Sequence, residues 1–298
     1  MEHCPMSITA SEAADLFRQA PEQFLDVGSA EVAYRRVGTG PDVLFVHGWP
    51  VHGATFRNLL PHLAEHVTCH LIDLPGTGSS RFTADTPLSF DLHIQSIRRT
   101  IDLLGLDDVA VVAQDSGGMF ARHAMAGDPR LRAMGLIGTE PPNRMSWRFR
   151  SFVGIRRLPG LGAGLGWVAG KPKIARNGLV FGAAFVDRSL LGGEFDEFFL
   201  QPLRDSAPHR KAAATLLASF TPKLIRDLGD LHRRIDVPVQ LVWGEQDAFF
   251  PVAWAREMVG TFPNAQLAVI PGASTLVHEE KPAEVAAALL PVLTQPRA

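Results

Sequence analysis

The chain has 298 residues, 46% hydrophobic and 20% charged, with a net charge of -2. Such a composition excludes a disordered chain, and the length allows one large domain or a core domain carrying an insertion. The near-even charge balance excludes a general nucleic-acid binder, and two cysteines, Cys4 and Cys69, exclude a disulfide framework or a cysteine zinc site. Smaller counts discriminate further. There are 11 His and 5 Trp but a single Tyr, Tyr34, so any mechanism that needs a pair of tyrosines is ruled out.

Residues 1–25 carry Glu2, Glu12, Asp15 and Glu22 and no long apolar run, which argues against a secretory signal and for a short helical extension. Within it, 10–20 is predicted as an amphipathic helix capped by Ser11. Apolar runs of strand length follow at 31–37, 43–46, 67–73, 109–113, 134–138, 239–243 and 266–270. Several are continuous rather than alternating, as in strands buried on both faces of a parallel sheet. Helical patterns occupy 55–65, 89–104, 117–126, 252–260 and 282–293. This alternation predicts an α/β fold with a mostly parallel, doubly wound sheet, built from residues 26–140 and 236–298. Residues 141–235 lack strand signals and are predicted as a helical lid. The apolar run Gly160–Gly170 is too short to span a bilayer and reads as a buried helix. The expected setting is soluble and cytoplasmic, with no membrane or nucleic-acid partner. Oligomeric state is not legible.

The most informative stretch is Val111-Val112-Ala113-Gln114-Asp115-Ser116-Gly117-Gly118. A sharp strand-to-helix turn needs small residues two before and two after its apex, because the backbone is cramped there. Ala113 and Gly117 fit an apex at Asp115, whereas an apex at Ser116 would put Gln114 in a small-residue slot. The exposed group is then a carboxylate, which attacks an sp3 carbon to form an ester. The plainer reading is that Asp115 caps the following helix. Gly76-x-Gly78 lacks the third glycine of a dinucleotide fingerprint and the lysine of a phosphate loop, so no cofactor is indicated. Nor is a metal.

Two upstream motifs, His47-Gly48-Trp49-Pro50 and Asp73-Leu74-Pro75-Gly76-Thr77-Gly78-Ser79-Ser80, precede that turn. Their order resembles the α/β-hydrolase superfamily, and most closely its aspartate-nucleophile branch of haloalkane dehalogenases, haloacetate dehalogenases and epoxide hydrolases. The resemblance covers residues 27–140 and 236–293, and the insertion only by its place. It implies an oxyanion hole from the backbone N–H groups of Trp49 and Ser116. It implies a histidine-orienting acid at Asp247, with Glu140 as the alternative place. It also implies a catalytic histidine seven residues before Pro282, where this chain has Thr275, which cannot act as a general base near neutral pH. His278 stands three residues late and serves only if the loop is rearranged by about one turn; otherwise it is a helix-start histidine.

Leaving-group chemistry divides the branch. Epoxide hydrolases protonate the opening ring with lid tyrosines, which this chain lacks, so a lid group such as His209 would have to substitute. Halide departure needs only N–H donors, such as the indoles of Trp49, Trp147 or Trp167. Ser116 and Met119 depart from the arginines with which haloacetate dehalogenases are associated at those positions. Apolar lid segments at Leu158–Val168 and Leu179–Phe185 suggest a small to medium hydrophobic substrate. Three readings remain: an Asp115-ester hydrolase, a non-hydrolytic enzyme that uses Asp115 as base or electrostatic partner, and a ligand-binding pseudoenzyme.

Overall fold

The computed structural model describes residues 7–297. Cys4 lies outside them, and Cys69 is a buried free thiol. Eight strands form one sheet: β1 (Gln23–Asp26), β2 (Glu31–Val37), β3 (Asp42–Val46), β4 (Thr68–Asp73), β5 (Val109–Gln114), β6 (Leu131–Ile137), β7 (Val239–Gly244) and β8 (Ala265–Ile270). Their spatial order is β1-β2-β4-β3-β5-β6-β7-β8. The two pairs made by β2 are antiparallel and all the others are parallel. The α/β expectation therefore holds.

β4 to β7 are buried at every residue, which is why they read as unbroken apolar runs. Within β5, Ala110 and Val112 pack into one core layer while Val111 and Ala113 pack into the other. The strand's two-residue period thus feeds a core on each face. Core helices cover those faces: α1 (Ala10–Arg18), α2 (Phe90–Leu104) and α3 (Ser116–Met125), then, beyond the insertion, helices over Val252–Val259 and Pro282–Leu293.

Four local expectations change. Thr9 rather than Ser11 caps α1, in a reciprocal capping box with Glu12. β1 was not foreseen and lies across the expected boundary at residue 25; only Leu25 of its four residues is buried, so it carries no apolar run to see. The helix expected at 55–65 is a 3-10 turn at Gly53–Phe56 followed by one helical turn at Leu60–Leu63.

The fourth concerns the insertion. Between Ile137 and Val239 the described residues form only helical segments and loops. Among these are α4 (Trp147–Ile155), capped by Ser146, α5 (Leu161–Ala169) and α6 (Ala207–Ser219). α5 is not the buried helix its apolar run suggests. Only Leu165 and Ala169 are buried, and Trp167 is 58% exposed. No helix among the described residues is long and apolar enough to cross a membrane.

Candidate active site

β5 leads straight into α3 through Asp115, whose backbone sits at φ 51°, ψ -135°. A residue with a Cβ pays about 1–3 kcal/mol to hold a sparsely populated conformation, and the surroundings must impose it. Here they do. The Asp115 N–H donates to the carbonyls of Ile137 (3.2 Å) and Gly138 (3.1 Å), and its own carbonyl accepts from Thr139 Oγ1 (2.7 Å). A Cβ at position 117 would come within 2.4 Å of the His47 carbonyl, so glycine is obligatory two residues past the apex. The steric requirement thus falls where the sequence put it. The plainer alternative fails, because the Asp115 side chain makes no hydrogen bond that caps α3.

The carboxylate instead turns toward the loop after β3. Its Oδ2 accepts from the Trp49 N–H (3.1 Å), which also reaches Ser116 Oγ (3.0 Å). Position 48 must be glycine as well, since a Cβ there would lie 2.6 Å from Asp115 Oδ2. The loop is fixed by His47, whose Nδ1–H donates to the Gly48 carbonyl (2.9 Å) while Nε2 accepts from the Leu74 N–H (2.9 Å). Burial pushes this imidazole down to about 4, so it stays neutral and structural.

Asp115 opens onto a cavity. Ten phenylalanines line it, from both the core and the insertion. Its polar lining is Gln114, Asp115, Ser116, Glu140 and Thr275, all at or just beyond strand ends. The Gln114 amide oxygen accepts from the Gly48 N–H (3.2 Å). Glu140 is buried; its Oε2 accepts from Thr139 Oγ1 (2.9 Å), and the Arg122 guanidinium lies 4.0 Å away. Burial raises the pKa of Asp115, and the nearby Glu140 charge raises it further, against the Ser116 and Trp49 N–H groups. Burial raises Glu140 too, against Arg122. At this buried place the two carboxyls hold a proton more readily than carboxylates in water.

Asp247, just after β7, does not hold a histidine. Its Oδ1 accepts from Thr275 Oγ1 (2.6 Å) and from the N–H groups of Phe249 (2.9 Å) and Phe250 (2.8 Å), while Oδ2 is buried without a partner. Burial pushes it up to about 7. Thr275 therefore lines the cavity and bonds the carboxylate that was expected to orient a histidine.

His278 does not fill the gap. It is fully buried in the short helix Val277–Glu280, with Nε2 2.7 Å from Thr55 Oγ1 and its ring against Phe56. It does not line the cavity. Burial, and then the Arg57 charge, push it down to about 3, so it is neutral. Its neighbour Glu279 binds Arg57 (2.9 Å) and Asn58 (3.0 Å). Residues 278–279 thus tie the final loop to the turn after β3, and a one-turn rearrangement would break that buried cluster.

Of the expected leaving-group donors, Trp49 lines the cavity and Trp147, Trp167 and His209 do not. The Trp49 indole donates to the Ala213 carbonyl in α6 (2.9 Å). Trp147 and Trp167 are exposed. His209 is held between Ser206 Oγ (2.7 Å) and the Gly78 carbonyl (3.1 Å). Of the two apolar lid segments, the one ending at Phe185 lines the cavity, through Val180, Phe181, Ala184 and Phe185, and 158–168 does not. Gln114 was not foreseen as a site residue; its place beside the apex, at the buried end of β5, was the available signal.

The sheet order, the turn at Asp115 and the helical insertion over the strand ends define an α/β-hydrolase architecture. The chain belongs to the alpha/beta hydrolase fold family, whose model matches residues 41–282. Among its relatives are pimeloyl-[acyl-carrier protein] methyl ester esterases. That of Chromobacterium violaceum is 28% identical over 255 residues, covering 82% of this chain and 92% of the relative. That of Xanthomonas campestris pv. campestris strain B100 is 29% identical, covering 83% and 94%. Similar solved structures include a haloalkane dehalogenase from Bradyrhizobium elkani, at TM-score 0.76 and 22% identity over 91% of this chain and 96% of that one. A bromoperoxidase from Bacillus anthracis superposes at TM-score 0.73 and 19% identity over 92% and 99%.

Proposed function

We propose that this chain is an enzyme whose Asp115 attacks an sp3 carbon of a small to medium apolar substrate and forms an alkyl ester. The observation that carries the reading is the strained Asp115 backbone, which holds a carboxylate that does not cap its helix against a phenylalanine-lined cavity.

An oxygen leaving group within a strained ring, as in an epoxide, suits the site better than a halide. The Trp49 indole is already bonded to Ala213, so of the side-chain N–H donors lining the cavity only the Gln114 amide is left for a departing halide. Glu140 supplies what the missing tyrosines do not: a second buried carboxyl on the same cavity, raised by burial as Asp115 is, and in this reading the pair's proton sits on Glu140 when Asp115 attacks. In the first step the ionised Asp115 bonds to the ring carbon, the carbon–oxygen bond breaks, and the alkoxide takes the Glu140 proton. In the second step the Glu140 carboxylate takes a proton from water, and the hydroxide bonds to the ester carbonyl. The resulting oxyanion, on an oxygen of Asp115 itself, is met by the Trp49 and Ser116 N–H groups. Collapse expels the alkoxide, which takes the proton of the added hydroxyl and leaves as a diol; Glu140 keeps the proton taken from water and Asp115 is again a carboxylate.

Two features make the second step slow. Thr275 stands where the family places its base, and Glu140 has to serve in both directions. An acyl ester of the kind named for the relatives is a weaker candidate, since carboxylate attack on an acyl carbon gives an anhydride that the site has no histidine to resolve. The absence of a cavity histidine favours one second reading, in which Asp115 and Glu140 move a proton on the substrate without forming an ester.

Styrene oxide and 1-bromobutane are suitable probes, followed by diol or bromide release and by intact protein mass. We expect an epoxide adduct and slow diol release, both lost in Asp115→Asn. In oxygen-labelled water, isomerised product without label and without adduct would favour the second reading. No adduct and no product from either probe would overturn both.

A further inference from the structure

The outer surface of the insertion has a charge unlike the rest of the chain. Residues 144–188 carry nine Lys or Arg and a single acid, Asp187, in a protein whose net charge is -2. Among the described residues, only Arg144 of these nine pairs with a carboxylate, that of Glu257. The same stretch exposes large apolar side chains: Trp147 at 61%, Leu158 at 57%, Trp167 at 58% and Leu179 at 70%. Among the described residues only two other exposed large hydrophobic side chains, Leu103 and Leu190, lie outside it. The two kinds of side chain are interleaved. The Arg148 guanidinium stacks over the Trp147 ring at 4.5 Å and donates to the Gly178 carbonyl, beside Leu179. Arg156, Arg157 and Leu158 share an open groove with Leu161, Arg210 and Lys211.

We infer that this face docks on the surface of a bilayer containing anionic phospholipids. Unpaired cations next to half-exposed tryptophans and leucines match both layers of such a surface, the phosphates and the first methylenes below them. A rigid acidic protein would need a separate pocket for each protruding side chain, whereas lipid accommodates all of them at once. The inner side of the same segments is apolar too. α4 turns Phe149 and Phe152 into the cavity while Trp147 faces out, and Leu179 adjoins the cavity residues Val180 and Phe181. A lipophilic substrate therefore has a short route from the bilayer to Asp115. This departs from the expectation of no membrane partner. It does not depend on which reaction Asp115 performs.

Co-sedimentation of the full chain with phosphatidylcholine vesicles, with and without phosphatidylglycerol, tests it. We expect binding only where phosphatidylglycerol is present, weakened by salt. Arg156→Gln with Arg157→Gln should weaken partition by about thirtyfold, at about 1 kcal/mol per cation near the surface. Trp147→Ala with Trp167→Ala should weaken it without altering its salt dependence. All but Arg156, which is half-buried, are surface changes, and an unchanged melting temperature confirms folding. Arg99→Gln with Arg256→Gln, the same charge change on the core, should have little effect. No binding to phosphatidylglycerol vesicles would overturn the inference, as would equal loss in the two arginine pairs. Binding to polyglutamate with none to vesicles would assign the face to an acidic protein instead.

Discussion

The two walls of the cavity divide the work. The sheet wall carries every polar group, namely Gln114, Asp115, Ser116, Glu140 and Thr275, each at or just past a strand end. The wall from the insertion carries none; it offers phenylalanines, an alanine, valine and leucines. The sheet wall is rigid because backbone hydrogen bonds and obligatory glycines hold it, as at Gly48 and Gly117. The insertion wall is held by packing and by a few long-range bonds such as Trp49 to Ala213. On the proposed reading, chemistry resides where positions are fixed, and substrate shape is read where side chains can be exchanged.

That division can be broken experimentally. Asp115→Asn should abolish adduct formation, by on the order of 10^4-fold, in single-turnover mass spectrometry. Glu140→Gln should slow ring opening by roughly 10^2- to 10^4-fold while leaving a bromoalkane, which needs no proton, much less affected; equal losses on both probes would remove Glu140 from proton transfer. Thr275→His should shorten the lifetime of the adduct by on the order of 10^2-fold without changing its rate of formation, if the threonine alone withholds a base. On the other wall, Phe181→Ala should raise KM about tenfold at little cost in kcat; a fall in kcat alone would give the insertion a part in the chemistry.

The smallest functional effects are expected away from both walls. His278→Ala should cost roughly 2–4 kcal/mol of stability through the buried Thr55 contact, measured by denaturant unfolding, and leave the adduct yield of the folded protein unchanged. Asp247 adds a pH signature. Its folded pKa, about 7, lies above its ordinary value of 3.8, so the folded state keeps a proton that the unfolded chain releases. Its contribution is fully present below about 4, and stability falls as pH rises through about 7. Asp247→Asn should flatten that fall.

Much of the sheet wall was legible from sequence, because steric demands at a tight turn are local. Ala113 and Gly117 mark the apex locally, and apolar runs of strand length mark seven of the eight strands. What was not legible depends on distant partners. Trp49 looked like a free indole donor because its acceptor, Ala213, lies 164 residues away in the insertion. His278 looked like a displaced base because its partner Thr55 lies 223 residues away. α5 looked buried because its composition is apolar, yet its small residues leave Trp167 facing out. Glu140 was visible only as an orienting acid, since nothing in the sequence says that it faces the cavity beside Asp115.

The most direct test is the intact mass of the protein after brief exposure to styrene oxide, with the modified residue located by peptide mapping. The account predicts one addition of the whole epoxide mass at Asp115, decaying slowly as diol appears and absent from Asp115→Asn. Epoxide turnover with no trappable adduct at Asp115 even after rapid quenching, or an adduct that persists in Asp115→Asn, would contradict it.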